Sequence, residues 1–413
     1  MWNTYSNALL ELDESGREYV KSFSGIDDKS NEFALLKKNG FIVFEQLDEL
    51  GRIKMQERQG LYSRKSDFMG IVIAPGMGCN YNCTYCSQHS IDKSDVMTSE
   101  MAIDVAEYVC KRIESYPSTK QLEVTWFGGE PLLYMDTIET ISHKVIKFCK
   151  DKNVEYSARI ITNGRLLDSE NLMKLKEFHV HLVQLSIDGM CDLYCKSKGF
   201  SADDYNTVID NLRSAAGKVD ILIRINIPNN DANEAIATTD YFFGQCNLLG
   251  KIRVHFGYVR DFSLSQEDEK KAFDNFVTNY FIWADHMIER YGIPEIETAF
   301  NAKRRVVFCG KIKPANICIS SCGELYKCHR DFGRRERMVG NLKDGEFFNE
   351  PHQMYCSTLD EQGKEKCLDC EYLPLCVGGC ANYFITGFTN IYCEARKYIW
   401  LHGKLRLYKG GKN

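Results

Sequence analysis

Three thiols stand in the order Cys79-Asn80-Tyr81-Asn82-Cys83-Thr84-Tyr85-Cys86, a C-x-x-x-C-x-x-C spacing just after the apolar run Gly70-Ile71-Val72-Ile73-Ala74. Three thiolates converging from one short loop can hold three corners of a [4Fe–4S] cube. The fourth iron then lacks a protein ligand and is open to a small molecule. The same thiols suit zinc if a fourth ligand lies close, and His89 is near enough in sequence to supply one.

The remainder of a 413-residue chain must position those thiols. At roughly 100–200 residues per domain, that length implies two or three domains with ample core. A hydrophobic content of 44% and a charged content of 26% are ordinary for a globular protein. The net charge of −5 offers nothing to a nucleic acid. No apolar run is long enough to span a bilayer, and Met1-Trp2-Asn3-Thr4 lacks the basic and apolar regions of a signal peptide. The expectation is a cytoplasmic protein with neither a nucleic-acid nor a membrane partner. Eighteen cysteines in a reducing compartment point to metal rather than disulfides, and the largest group lies between Cys309 and Cys393.

Residues 1–68 read as a small α+β module. An extended run through Ala8-Leu9-Leu10 precedes helices near Glu14–Phe23 and Asn31–Lys38, the second stopped by Gly40. Phe41-Ile42-Val43-Phe44 predicts a strand, and a polar helix starts from about Asp48. Over residues 69–260, strand-like runs near 70–74, 121–127, 156–162, 181–187, 220–227 and 252–258 alternate with helical patterns. The helix near 99–114 carries Ala102, Ile103, Ala106, Val109, Cys110 and Ile113 on one face. Six β/α units predict an α/β fold with a parallel sheet wrapped by helices. Residues 261–305 predict a linking helix with Ser265 as N-cap and Asp268 three residues on. Its aromatics Phe273, Phe276, Tyr280 and Trp283 fall at core spacing. Residues 306–400 are cysteine-rich and irregular, and 401–413 form a basic tail.

Polar residues gather where the strands end. Trp126-Phe127-Gly128-Gly129-Glu130-Pro131 closes the second strand, with two glycines that let backbone approach a ligand and a carboxylate acceptor. The third strand ends in Thr162-Asn163-Gly164 and the fourth in Ser186-Ile187-Asp188-Gly189. These read either as turns or as side chains offered to a ligand at the rim. Arg224 and Asn226 lie two apart on the fifth strand and so share a face, where a buried arginine needs a carboxylate partner.

The three-thiol spacing, with Tyr85 directly before the last thiol, resembles the signature of radical S-adenosylmethionine (radical SAM) enzymes. The resemblance implies a six-unit partial (β/α)6 barrel with ligands at the C-terminal ends of the strands. It implies SAM chelated on the open iron, an electron delivered by a reductase such as flavodoxin or ferredoxin, and a 5′-deoxyadenosyl radical as product. Gly128, Gly129 and Glu130 resemble the family's GGEP motif, which receives the SAM amino group. Thr162, Asn163, Ser186, Asp188, Arg224 and Asn226 would meet its ribose and carboxylate. Many relatives continue after the fourth strand with Pro and a His-Asp pair. This chain instead has Met190-Cys191-Asp192-Leu193-Tyr194-Cys195, where Cys191 and Cys195 read as ordinary thiols.

A second resemblance covers the C-terminal region. Cys309, then Gly323 and Cys328, then Cys367-x-x-Cys370-x5-Cys376-x3-Cys380 and Cys393 match the seven-cysteine pattern of the SPASM domain. The run Asn316–Ser321, a turn at Cys322-Gly323 and a strand Glu324–Cys328 fit its hairpin. By that resemblance Cys309, Cys328 and Cys380 hold a nearer auxiliary [4Fe–4S] cluster, with Cys318 preferred to Cys322 as fourth ligand. Cys367, Cys370, Cys376 and Cys393 hold a farther one, which gives three [4Fe–4S] clusters. Zinc ribbons are the alternative reading of the array. Cys110, Cys149, Cys191, Cys195, Cys246, Cys322 and Cys356 have no cluster to serve.

Relatives with both modules mostly act on peptides, so a precursor peptide is the expected partner. Sulfatase-maturing enzymes place an Asp as proposed base directly after the hairpin-end cysteine. Here Cys328-His329-Arg330-Asp331 resembles the Cys-His-Arg of ribosomal-peptide maturases, with Asp331 still near enough to reach the site. The expected activity is therefore hydrogen abstraction from a precursor peptide, ending in a crosslink or oxidation. Residues 1–68 then resemble part of a leader-peptide recognition module that grips by strand addition. Formylglycine generation, and a non-enzymatic iron–sulfur or zinc scaffold, are the competing functions.

Overall fold

Polar and buried apolar residues alternate along the strands of this chain: Val183, Leu185 and Ile187 are buried while Gln184 and Ser186 between them line a cavity. The computed structural model describes residues 1–25, 29–86, 88, 91–261, 263–293, 302–360, 365–387 and 392–410. Six parallel strands run in sequence order: β1 (Phe68–Ile73), β2 (Gln121–Trp126), β3 (Glu155–Thr162), β4 (Val180–Ile187), β5 (Asp220–Ile225) and β6 (Arg253–Phe256). On β5, Ile221, Ile223 and Ile225 are fully buried while Arg224 between them is half-buried, the two-residue alternation of a sheet with a core face and a ligand face. The same sheet continues past β1 through β7 (Ile317–Ile319), β8 (Glu324–Tyr326), β9 (Gly340–Asn341) and β10 (Gly345–Glu346). β7 lies parallel to β1, with Val72 opposite Cys318, so the cysteine-rich segment is stitched directly to the first strand.

Helices precede, separate and follow the strands. In order they are α1 (Glu14–Ser22), α2 (Asn31–Lys38), α3 (Glu49–Tyr62), α4 (Ser99–Ser115), α5 (Met135–Asp151), α6 (Ser169–Glu177), α7 (Cys191–Lys198), α8 (Ala202–Ala215) and α9 (Ala232–Asp240). After β6 come α10 (Gln266–Tyr291), α11 (Glu350–Cys356), α12 (Glu365–Leu368), α13 (Leu373–Cys376), α14 (Ala381–Ile385) and α15 (Cys393–Gly410). Short oxygen-bearing side chains start most of them. Thr98 caps α4, Ser201 caps α8 with a reciprocal bond from Asp204, and Ser265 caps α10 through the Asp268 amide as expected. Among the described residues no helix is long and apolar enough to cross a membrane.

Four expectations need correction. The strand predicted at Phe41–Phe44 does not form, because the Phe41 and Gly40 amides turn back to the Leu36 and Lys37 carbonyls and close α2 in a Schellman motif, with Gly40 at φ +75°. Ile103 lies off the buried stripe Ala102, Val105, Ala106, Val109 and Ile113, and is exposed. Phe276, Tyr280 and Trp283 are core, but Phe273 lines the central cavity. Residues 401–410 continue α15 rather than trailing off, and Arg406 grips Asp285 of α10 through both carboxylate oxygens. The end of the expected linker, residues 294–301, lies outside the described residues, as does His89.

Among the described residues ahead of β1 there are three helices and a single bridge, between Trp2 and Leu9. Their main attachment is to the C-terminal segment. Ile53 packs with Leu359, Leu373 and Val377, and the Glu57 carboxylate accepts from the Leu359 amide.

Candidate active site

A cavity of about 470 Å³ opens at the C-terminal ends of the six parallel strands. Cys79, Cys83 and Cys86 line it together with Tyr85, Gly128, Gly129, Thr162, Asn163, Ser186, Arg224 and Asn226. All three thiols and most of the polar residues picked out from the strand ends are therefore brought to one place.

The loop that bears the thiols is held by its neighbours. The Asn82 and Thr84 amides donate to the carbonyls of Lys198 and Ser197 at the end of α7. The Tyr81 amide donates to Cys79 Sγ at 3.4 Å, and Asn163 Nδ2 lies 3.8 Å from the same sulfur. Such N–H donors suit a thiolate that carries iron. Burial pushes the metal-free Cys79 thiol up to about 11, so iron would displace a proton there. Among the described residues no group of Cys, His, Asp and Glu converges on single-ion geometry; a cube holds its thiolates farther apart than one ion does.

Gly128 and Gly129 lie on the cavity wall and also hold two loops together. At Gly128 (φ +127°) an added Cβ would lie 2.3 Å from the Gly76 carbonyl oxygen, and at Gly129 2.1 Å from that of Gly78. The Gly129 and Glu130 amides donate to those same two carbonyls. These glycines close one loop on another and thereby set the cysteine loop against β2. Glu130 does not face the cavity. It is fully buried, accepting from Thr162 Oγ1 at 2.7 Å, the Asn163 amide at 2.8 Å and the Leu132 amide at 3.0 Å. It is a strut between β2 and β3, and burial pushes its carboxyl up against the pull of those donors.

Asp188 is likewise turned away from the cavity. Its carboxylate accepts from Tyr85 O–H at 2.7 Å and from the Ser197 hydroxyl, and it faces Lys198 Nζ at 3.2 Å. Burial would lower the Lys198 ammonium, but Asp188, Tyr85 and Cys83 outweigh it and hold it well above its ordinary value. Lys198 thus places a fixed positive charge beside the cysteine loop. Sequence reasoning missed it, since a lysine at the end of a helix before Gly199 reads as ordinary dipole compensation. Gln184, also on the cavity wall, was findable: it lies two residues before Ser186 on β4.

The far wall comes from the cysteine-rich segment. His329, Arg330 and Tyr383 line the cavity, with the His329 ring edge-on to Phe127 at 4.7 Å. Burial, then Lys311 and Arg330, hold His329 well below its ordinary value and keep it neutral. Asp331 does not reach the site: it is buried and accepts from Tyr355 O–H and Asn382 Nδ2. Arg224 donates to Asn226 Oδ1 at 2.8 Å and to the Tyr258 carbonyl at 3.1 Å, and burial together with Arg330 lowers its pKa. Among the described residues the cavity is lined by Lys198, Arg224, Arg260 and Arg330 and by no carboxylate. Lys198 is matched by Asp188 and Arg260 by Glu269.

Eight of the other cysteines fall in two neighbourhoods. Burial raises the thiols of Cys309, Cys318 and Cys328, and charge coupling then links Cys318 to Cys309, Cys328 to Cys318 and Cys380, and Cys309 to Cys380. Cys393 is raised by burial and then by Cys376 and Cys370, and the Cys370 amide bonds the Cys367 carbonyl. Cys322 is exposed at the β7–β8 turn, where Gly323 has φ +76°.

Comparison with known proteins agrees with this geometry. Residues 73–240 match the Radical SAM superfamily. The chain is 30% identical over 177 residues to the radical SAM cyclopropyl synthase TigE of Paramaledivibacter caminithermalis, a match covering 39% of this chain and only 35% of that protein. It is 26% identical over 377 residues to a cysteine-type anaerobic sulfatase-maturating enzyme of Clostridium perfringens, covering 84% of this chain and 99% of that one. The fold resembles native anSMEcpe with bound AdoMet and the Cp18Cys peptide, with a TM-score of 0.57 at 19% identity over 83% of this chain and 98% of that chain. The family implies one [4Fe–4S] cluster and AdoMet, and the thiol loop fits both. The chain carries a radical SAM domain.

Proposed function

We propose that this chain is a radical SAM peptide maturase that takes a hydrogen atom from a ribosomally made precursor peptide and leaves a crosslink or an oxidised residue. On this reading residues 69–260 are a partial (β/α)6 barrel, 306–400 a SPASM domain and 261–305 its linker. When bound, the reduced cluster and SAM supply a 5′-deoxyadenosyl radical. Cys79, Cys83 and Cys86 would hold the cluster, with Asn163 and the Tyr81 amide donating toward Cys79. Arg224 would take the SAM carboxylate, and Tyr85, Gly128, Gly129, Thr162, Ser186 and Asn226 would shape its pocket. Cys309, Cys318, Cys328 and Cys380 would hold the nearer auxiliary cluster, and Cys367, Cys370, Cys376 and Cys393 the farther one.

The observation that carries the reading is the wall opposite the thiols. Neutral His329 stands after Cys328 and Asp331 is turned away, so among the described residues no carboxylate base faces the cavity. Thiol or hydroxyl oxidation with an aspartate base has no such group to use. A second reading, formylglycine generation, is favoured by the near full-length similarity to the sulfatase-maturating enzyme. The two separate on paired substrates: a sulfatase-derived Cys/Ser peptide and the precursor encoded beside this gene, followed by mass spectrometry. A loss of about two hydrogens in the second with none in the first supports the maturase; formylglycine in the first alone reverses it. A third reading, an iron–sulfur or zinc scaffold without activity, fails if SAM is cleaved.

Leader binding by residues 1–68 is proposed without strand addition, since among the described residues before β1 the only β pairing is the Trp2–Leu9 bridge. An external reductase such as flavodoxin or ferredoxin completes the expected set of partners.

A further inference from the structure

Of the lysines and arginines that line the central cavity among the described residues, one has no anion to answer it. Lys198 faces Asp188 at 3.2 Å, and Arg260 faces Glu269 at 3.3 Å. Arg224 is the group that would take the SAM carboxylate. Arg330 remains, on the wall built by the cysteine-rich segment and directly after His329. The carboxylate next to it in the chain, Asp331, is turned away to Tyr355 and Asn382. The groups that act most strongly on the Arg330 charge are Tyr383, Cys328 and Cys380, none of them a carboxylate.

The side chain is nevertheless held in place. Arg330 Nη1 donates to the Tyr383 hydroxyl oxygen at 3.3 Å, and the guanidinium carbon lies 5.5 Å from the centre of the Tyr383 ring. Tyr383, on α14, packs against Tyr392 with ring centres 4.8 Å apart, and Tyr392 O–H donates to the buried Glu269 carboxylate of α10. A rack of two tyrosines thus carries the guanidinium from α10 to the cavity wall. Arg330 is exposed to the cavity, so its remaining N–H groups are open to a ligand, and their planar fork matches a carboxylate. A donor already held in position loses little freedom on binding. Arg330 also acts on Arg224 as a like charge, so an anion entering between the two walls relieves a repulsion as well as forming a bond.

We propose that Arg330 is a specificity-determining residue that binds a carboxylate of the peptide substrate, carried by an acidic side chain or by the C-terminus near the carbon that loses hydrogen. The proposal rests on the peptide-maturase reading and adds a class of substrate to it: a peptide with negative charge beside the reacting residue. Arg224 and Arg330 then divide the work, one facing the carboxylate of SAM and the other that of the peptide.

The test uses the anaerobically reconstituted full chain and the precursor encoded beside its gene. Each Asp and Glu of the precursor is changed singly to Asn or Gln, and its C-terminus is amidated in a separate peptide. Binding is read by fluorescence anisotropy and modification by mass spectrometry. With the unaltered enzyme, one of these changes is expected to raise the peptide Kd about 10- to 100-fold, and which one it is tells a side chain from the C-terminus. With Arg330→Gln that same change should cost less than threefold, and Arg330→Glu should regain binding of a precursor carrying Lys at the acidic position. The peptide series on the unaltered enzyme stands even if an Arg330 variant fails to fold. Binding and modification indifferent to every acid-to-amide change, or an Arg330→Gln loss equal on all the peptides, as a partner of the nearer auxiliary cluster alone would give, overturns the proposal and leaves the maturase reading intact. A rise in the Kd for SAM with Arg330→Gln in the absence of peptide gives the guanidinium to SAM and also overturns it. No binding and no modification of the precursor by the unaltered enzyme defeats the maturase reading, and this proposal with it.

Discussion

Lys198 Nζ stands 3.2 Å from Asp188 Oδ1, and both side chains are almost wholly shut off from solvent. The pair joins the end of β4 to the end of α7, and Tyr85 O–H and Ser197 complete it. Since the carbonyls of Ser197 and Lys198 also hold the cysteine loop, the ion pair fixes the ground on which the thiols stand.

Replacing one partner leaves the other charge buried and unpaired. Lys198→Met is expected to destabilise the protein by about 3–5 kcal/mol, and adding Asp188→Asn to recover part of that loss. Thermal unfolding of the reconstituted protein measures both. A Lys198→Met loss of about 1 kcal/mol or less would show that water reaches the pair.

Arg224 faces the cavity with neutral hydrogen-bond partners, Asn226 Oδ1 and the Tyr258 carbonyl. A ligand carboxylate would supply a charge-assisted bond of about 1.5–3 kcal/mol, so Arg224→Gln should raise the Kd for SAM roughly 10- to 100-fold. Equilibrium binding of SAM to the reconstituted protein reads this directly, and an unchanged Kd would assign the guanidinium to another ligand.

The six strands and their order were legible because apolar runs alternate with amphipathic helices. What Glu130 and Asp188 do was not. Their types and positions mark the ends of β2 and β4, but whether a carboxylate faces a cavity or a neighbouring strand depends on long-range donors such as Asn163 and Lys198. Phe41–Phe44 misled for a local reason: its first amide is spent on capping α2. Phe273 shows the limit of helical periodicity, which places it in line with Phe276 and Tyr280 but cannot say where α10 passes the cavity mouth.

Cys318 is fully buried beside Cys309 and Cys328, whereas Cys322 is exposed at the hairpin turn. On the proposed three-cluster reading, Cys318→Ala is expected to lose or convert the nearer auxiliary cluster and to lower iron below roughly twelve per chain. Cys322→Ala should leave iron unchanged. Iron analysis with Mössbauer spectra checks both, and the reverse pattern would move the ligand to the turn.

His352 carries a pH prediction. Its folded pKa is raised above the unfolded value of 6.5, so its contribution to stability is fully present below that pH and is lost as pH rises through the folded pKa. His352→Gln should therefore cost on the order of 1 kcal/mol near pH 6 and progressively less toward pH 8.5. Denaturant unfolding at the two pH values tests this; a cost that grows with pH would contradict it.

The central claim is that Cys79, Cys83 and Cys86 hold a cluster that cleaves SAM. The most direct measurement replaces all three with Ala and follows iron content and 5′-deoxyadenosine formation after anaerobic reconstitution. The account predicts a fall from about twelve to about eight irons per chain with no 5′-deoxyadenosine produced. Zinc in place of iron, or undiminished cleavage in the variant, would contradict it.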